Sequence, residues 1–222
     1  MTGPSERKRV VESIRSRGAV ALLRLPDPEK VLPVASALTR GGLDVIELSA
    51  VVPGAAGLIT RLATELGPSV TVGAGTVTDA ATADNMIRAG ARFVISPVLV
   101  PEVVEMCNER DVAGIPGAFS PSEIAAAHEL GADLVKLFPA DVLGPGFLRG
   151  VLAPLPGLRV IPTGGITPAN CGDWIRAGAC AVGVGSALVD RAAVEREQLG
   201  AIEARARELV RAVQSAREQP GA

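Results

Sequence analysis

The chain has 222 residues and a mass of 22.6 kDa, room for one domain of ordinary size. Twenty-two basic residues against 24 acidic ones give a net charge of -2 and a pI near 5.6, which argues against nucleic acid, whose binders carry a basic face. Apolar residues make up 48% of the chain, yet no run approaches the ~18 that a membrane span needs, and only Phe93, Phe119, Phe138, Phe147 and Trp174 are aromatic.

The predicted elements begin with a helix over residues 1–18, whose Glu6, Arg7, Lys8 and Arg9 leave no apolar segment for a signal peptide. Strands are expected near 19–24, 44–49, 70–75, 92–96, 112–115, 133–138, 159–162 and 180–185, each a short apolar and mostly β-branched run. Amphipathic segments lie between them. Pro28–Thr39, for example, sets Val31, Leu32, Ala35 and Leu38 on one face. Thr78-Asp79 and Ser120-Pro121-Ser122-Glu123 carry helix start signals, the second with proline in the first turn. A long charged helix over Ala192–Arg217 closes the chain. An aliphatic core suits parallel strands covered by helices, and strict alternation of strand and helix implies a parallel sheet. The predicted fold is therefore α/β, a single (β/α)8 TIM-barrel domain over residues 1–222 with an extra N-terminal helix. An open doubly wound sheet also alternates strand and helix, and stands as the alternative.

A weak repeat favours the closed barrel. Gly42-Leu-Asp-Val-Ile-Glu47, Gly90-Ala-Arg-Phe-Val-Ile95, Gly131-Ala-Asp-Leu-Val-Lys136 and Gly178-Ala-Cys-Ala-Val-Gly183 each join a helix-ending glycine to a strand. They precede the second, fourth, sixth and eighth predicted strands, as duplication of a two-unit module would leave them. Five residues after each glycine stand Glu47, Ile95, Lys136 and Gly183. Alternate strands of such a barrel supply one layer of four inward side chains, so Glu47 and Lys136 are expected to face each other across the lumen, with Gly183 leaving room beside them.

A buried acid and a buried lysine are costly unless paired or used. They stand either as a structural ion pair or as a nucleophile with a carboxylate proton shuttle. Only three of the 22 basic residues are lysine (Lys8, Lys30, Lys136), the rest being arginine. An ion pair is served by arginine, whereas only lysine forms an imine with a carbonyl. Burial favours the neutral amine and an ionised Glu47 the charged one, so the two are expected to titrate as a coupled pair, with cationic Arg24 nearby.

Glycine clusters mark a second part of the site. Pro162-Thr163-Gly164-Gly165-Ile166-Thr167 follows the seventh predicted strand and Gly183-Val184-Gly185-Ser186 the eighth. Loops at those two strands are where barrels cradle a phosphate with backbone N–H groups and a helix N-terminus. Gly73-Ala74-Gly75-Thr76-Val77 is a further rim element but lacks the spacing of a dinucleotide fingerprint. Pro97, Pro116 and Pro139 fall at or just after strand ends as stops. Three cysteines (Cys107, Cys171, Cys180) fit neither a CxxC nor a metal spacing, which reads as a reducing, cytoplasmic setting. The single histidine, His128, lies on a helix away from any strand end. No metal site and no cofactor are therefore expected.

Together Val45-Ile-Glu47-Leu-Ser49, Gly73-Ala-Gly-Thr-Val77, Ile95-Ser-Pro97, Ile115-Pro-Gly117, Val135-Lys136-Leu-Phe-Pro139 and Pro162-Thr-Gly-Gly-Ile166 resemble the 2-keto-3-deoxy-6-phosphogluconate aldolase family, including its 4-hydroxy-2-oxoglutarate activity. The resemblance runs from about residue 19 to 190. It implies a metal-free class I aldolase, a (β/α)8 barrel and a homotrimer acting on a small, often phosphorylated 2-keto acid. By that resemblance Lys136 is the Schiff-base lysine and Glu47 the general acid/base. Thr76 contacts the pyruvate carboxylate, Phe138 packs by the imine, and Gly164, Gly165 and Ser186 hold the phosphate. Pro97, Thr163 and Gly185 complete the expected substrate-binding set. The chain departs from the pattern where gluconate-type members carry an arginine four residues after the catalytic Glu, the place of Val51 here. Galactonate-type relatives instead end the first strand with arginine, which matches Arg24. Gly144-Pro145 resembles the galactonate branch and Pro162-Thr163 the gluconate branch, so both epimers stand as substrates. The resemblance implies a class I aldolase that cleaves a 2-keto-3-deoxy-6-phospho sugar acid to pyruvate and glyceraldehyde 3-phosphate. A phosphosugar isomerase or synthase on the same barrel, and a non-catalytic phosphometabolite-binding protein, are the alternatives.

Overall fold

Short aliphatic strands must be covered on both faces, by helices on each side or by a lumen on one side and helices on the other. The computed structural model, which describes residues 5–218, builds the second arrangement. Its strands are β1 Ala19–Leu23, β2 Val45–Ser49, β3 Thr71–Gly75, β4 Phe93–Ile95, β5 Ala113–Ile115, β6 Gly117–Ala118, β7 Val135–Leu137, β8 Val160–Pro162 and β9 Val182–Val184. All pairings are parallel, in two sheets ordered β5-β4-β3-β2-β1-β9 and β6-β7-β8. An isolated parallel bridge between Thr163 and Gly183 joins β8 to β9. The other seam is Pro116 alone, between β5 and β6. The ring is closed, so the protein is a (β/α)8 barrel and the open-sheet alternative falls.

Pro116 corrects the expected fifth strand, which continues to Ala118 instead of stopping at 115. Proline has no N–H and breaks the ladder for one residue. Its carbonyl still accepts from the Lys136 amide at 2.9 Å, so the stave is interrupted but not ended.

Glycines 42, 90, 131 and 178 all have positive φ (90°, 106°, 86° and 102°), each one residue past a helix C-cap, as the repeat predicts. Asp79 and Ser120 cap their helices, the latter in a full capping box with Glu123. The helix Glu6–Arg17 places Val10, Val11 and Ile14 against the lumen residues Val20, Val45 and Phe93, and so plugs the amino-terminal end of the barrel. Residues 1–4 of the predicted first helix lie outside the described residues.

Two expectations need correction. Pro28–Thr39 is a 3-10 turn over Pro28–Lys30 followed by a helix over Val31–Arg40, and its buried face carries Val34 where Leu32 was expected. The closing segment is two helices, Arg191–Glu195 and Leu199–Glu218. Between them Glu197 has φ 54° and the Gln198 amide returns to the Ala193 carbonyl at 2.8 Å, so the chain turns before the long helix packs. Among the described residues no helix is long and apolar enough to cross a membrane.

Candidate active site

Period-two alternation along β2 points Glu47 and Ser49 inward, while Ile46 and Leu48 join the outer core under the helices. On β7, Val135 and Leu137 likewise join the outer core and leave Lys136 facing the lumen. The two titratable groups meet in a cavity of about 620 Å³ at the carboxyl ends of the strands. Arg24, Thr76, Pro97, Phe138, Thr163, Gly164, Gly165, Gly185 and Ser186 line the same cavity, so the whole expected catalytic and substrate-binding set is brought together. Leu22 lines it as well, as do Ser49 and Thr167, which belong to the quoted motifs but carry no role there. Ser49 had a readable signal, since it follows Glu47 by two residues on the same strand face.

Glycines make the room. A Cβ on Gly75 would occupy the position of the Glu47 carboxyl, and one on Gly183 would overlap the Thr163 hydroxyl. The space expected beside Gly183 is thus filled by Thr163.

Glu47 is 3% exposed and Lys136 6%. Neither belongs to an ion pair within 4.0 Å among the described residues. Glu47 Oε2 is buried with no hydrogen-bond partner. Burial pushes the Glu47 carboxyl above its ordinary range, while the Lys136 and Arg24 cations pull it partly back. The Lys136 Nζ lies 5.1 Å from the centre of the Phe138 ring. A structural ion pair needs close contact and satisfied lone pairs to offset desolvation. The geometry here is instead that of two buried ionisable groups held apart around open space, the arrangement that suits acid/base and nucleophilic work.

At the rim the Arg24 Nη2 donates to Thr76 Oγ1 at 3.0 Å, and Ser49 Oγ donates to the same oxygen at 2.9 Å. Thr76 has φ 57°, a left-handed conformation that for a β-branched residue costs about 1–3 kcal/mol and marks functional strain. Arg24 makes no surface bridge to Asp27 or Glu29. Asp27 accepts from the Glu29 amide, and the Glu29 carboxylate faces Arg61. Val51, 60% exposed, does not line the cavity.

The glycine loops line the same cavity as Arg24 and Thr76. Gly164 and Gly165 have φ 100° and 67°, and among the described residues the Gly165 and Ser186 amides donate no backbone hydrogen bond. Asn170 braces their loop, donating to the Gly165 carbonyl at 2.9 Å and accepting from the Thr167 amide at 2.8 Å. After β9 the expected helix N-terminus is a turn in which the Leu188 and Val189 amides return to the Gly185 carbonyl. The helix starts only at Arg191, because Asp190 caps it there.

The remaining reactive side chains stand elsewhere. Burial pushes the Cys107 thiol up to about 12 and the Cys180 thiol to about 11, and no cysteine lines the cavity. His128 is exposed on its helix. Among the described residues no group of three His, Cys, Asp or Glu side chains is placed to hold a metal ion.

The family model for KDPG and KHG aldolase matches residues 10–205. The 2-dehydro-3-deoxy-phosphogluconate aldolase of Pseudomonas aeruginosa is 35% identical over 179 residues, 80% of this chain and 81% of its own. The 2-dehydro-3-deoxy-6-phosphogalactonate aldolase of Escherichia coli K12 is 31% identical over 170 residues, 76% of this chain and 83% of its own. A crystal structure of KDPG aldolase from Legionella pneumophila, with pyruvate captured at low pH as a covalent carbinolamine intermediate, superposes with a TM-score of 0.84 at 27% identity. It covers 90% of this chain and 97% of that one.

Proposed function

The chain belongs to the KDPG and KHG aldolase family and is an aldolase, a lyase, and from that premise we propose a class I mechanism through an imine on Lys136. The substrate is 2-keto-3-deoxy-6-phosphogluconate or its galactonate epimer, cleaved to pyruvate and glyceraldehyde 3-phosphate, with 4-hydroxy-2-oxoglutarate as a smaller alternative giving pyruvate and glyoxylate. One observation carries this reading: Lys136 and Glu47 are buried in one cavity, and neither is consumed in an ion pair.

The Lys136 amine adds to the C2 carbonyl, and the carbinolamine loses water when its hydroxyl is protonated. Glu47, its proton affinity raised by burial, is the group suited to give and retake that proton. Removal of the C4 hydroxyl proton then lets the C3–C4 bonding pair move into the C2–C3 bond. An aldehyde leaves and an enamine remains. Protonation at C3 and return of water release pyruvate and restore the amine. Each step balances with water alone as co-reactant.

Around this centre Arg24 and Thr76 are assigned to the substrate carboxylate, the former as a fork-shaped cation. The amides around Gly164, Gly165, Gly185 and Ser186 are assigned to the phosphate, and Pro97, Phe138 and Thr163 to the walls. We read the assembly as a cytoplasmic homotrimer. Val51, Val98, Phe119 and Val142 are exposed and all follow strand carboxyl ends, which gives that face apolar surface to cover. Light scattering reads the trimer directly.

The test of function is release of pyruvate from each of the three substrates, followed by lactate dehydrogenase coupling. Turnover of at least one is expected. Absence of pyruvate from all three would refute the substrate assignment.

A further inference from the structure

Thr76 carries more polar traffic than a rim threonine needs. A hydroxyl has one proton to give and two lone pairs to receive with. The guanidinium of Arg24 can only donate, and it does so to Thr76 Oγ1 at 3.0 Å. Ser49 Oγ donates to the same oxygen at 2.9 Å. Both lone pairs are therefore occupied. Among the described residues no protein acceptor takes the Thr76 proton.

The surroundings fix where that proton goes. Thr76 sits one residue past β3 with φ 57°, and its neighbours hold this conformation: the Ala50 amide donates to the Gly75 carbonyl at 2.7 Å, and the Val77 amide to the Ile95 carbonyl at 3.1 Å. Ser49 is 3% exposed and paired across the ladder with Gly75, so its hydroxyl has little freedom. With two directions around the Thr76 oxygen filled from Arg24 and Ser49, the hydroxyl proton is left to the cavity that Thr76 lines. A group that receives it there must be an acceptor, and beside Arg24 an anionic one.

We propose that Ser49 is a positioning residue: it holds the Thr76 hydroxyl as a donor to the carboxylate of the bound 2-keto acid. This rests on the aldolase reading above. Ser49 does its work through Thr76 rather than on the reacting atoms. Removing its hydroxyl frees a lone pair on Thr76, lets the hydroxyl rotate toward other acceptors, and weakens the recognition of carboxylate without touching Lys136 or Glu47.

The experiment traps the imine with borohydride over a range of ketone concentrations, using pyruvate and its uncharged ester methyl pyruvate in the intact protein. In Ser49→Ala the concentration of pyruvate needed for half-maximal trapping should rise about five- to tenfold, the scale of one oriented hydrogen bond, while methyl pyruvate is little affected. Ser49→Cys, the same shape with a larger sulfur and only a weak donor, should behave likewise and serves if the alanine variant does not fold. In a Thr76→Val background either Ser49 change should add nothing further. Equal loss for both ketones, no loss for pyruvate, or a full additional loss in the Thr76→Val background would overturn the proposal. The parent reading fails separately: it falls if the wild-type protein traps no pyruvate on Lys136, whatever the Ser49 variants do.

Discussion

Replacing Glu47 by glutamine should push activity and stability in opposite directions. The amide keeps the shape and volume of the carboxyl, so the close approach over Gly75 survives, but it cannot exchange a proton. A positioned acid/base contributes about 10²–10⁴-fold, and that factor should be lost from kcat, equivalent to about 2.7–5.5 kcal/mol of barrier. Stability should move the other way. Burial raises the carboxyl above its ordinary value of 4.5, with only partial relief from Lys136 and Arg24. The folded state then binds more protons than the unfolded one between the ordinary and the raised value, so folding stability is highest below 4.5 and falls as pH rises through that interval. Above it the parent protein bears the net penalty of an ionised, buried carboxylate only partly relieved by Lys136 and Arg24, which glutamine does not have. Each unit of elevation is about 1.4 kcal/mol, and 1 kcal/mol moves the melting temperature of a chain this size by about 2–4 °C. Calorimetric melts at pH 4 and pH 8 beside coupled turnover form the assay. The glutamine variant should melt higher than the parent at pH 8, and the advantage should shrink at pH 4. A companion variant, Gly75→Ala, puts a methyl where the Glu47 carboxyl lies and should lose turnover although the carboxyl remains. Near-parental turnover in Glu47→Gln, or a lower melting temperature at pH 8, would refute the reasoning.

At the carboxylate anchor, Arg24→Ala should lower kcat/KM by the equivalent of about 2–5 kcal/mol, because a desolvated anion loses its partner. Arg24→Lys should recover only part of this, since a point charge cannot reproduce the fork; full activity in the alanine variant would remove Arg24 from the site. In the phosphate cradle, Gly185→Ala adds a methyl 3.7 Å from Leu22 Cβ without backbone strain, so the protein should fold normally. Its KM for the phosphorylated substrate should rise by about 10- to 100-fold, the scale of a hydrogen bond to a charged group, and far less for 4-hydroxy-2-oxoglutarate. Equal effects on both substrates would place the phosphate elsewhere.

The barrel and the two central side chains were legible because periodicity encodes them directly. The glycine-to-strand repeat marks which positions face the lumen, and it sets Glu47 and Lys136 at the same place on facing strands. What remained hidden depends on packing in three dimensions. Nothing in the order of residues says that Glu47 and Lys136 avoid contact, a fact that separates a structural pair from a working one. Pro116 read as a stop, yet the strand resumes after it because Pro116 still accepts from the Lys136 amide. Ala192–Arg217 read as one helix because Glu197 is an unremarkable helix former by type; only its φ of 54° reveals the break. Gly73 and Gly75 read as a rim turn, whereas one leaves space for the Phe93 ring and the other for the Glu47 carboxyl. Ser49 was overlooked because serine on a strand is common, and its partner, Thr76, is 27 residues away.

The central claim is that Lys136 forms the imine, and borohydride reduction in the presence of pyruvate followed by peptide mapping tests it most directly. The chain offers only two competing lysines. Lys8 is exposed on the first helix, and Lys30 is tied to the Val194 carbonyl at 3.3 Å, outside the cavity. The account predicts a pyruvate-derived adduct on Lys136 and on neither of the others. An unmodified Lys136 after reduction, or equal labelling of all three, would contradict it.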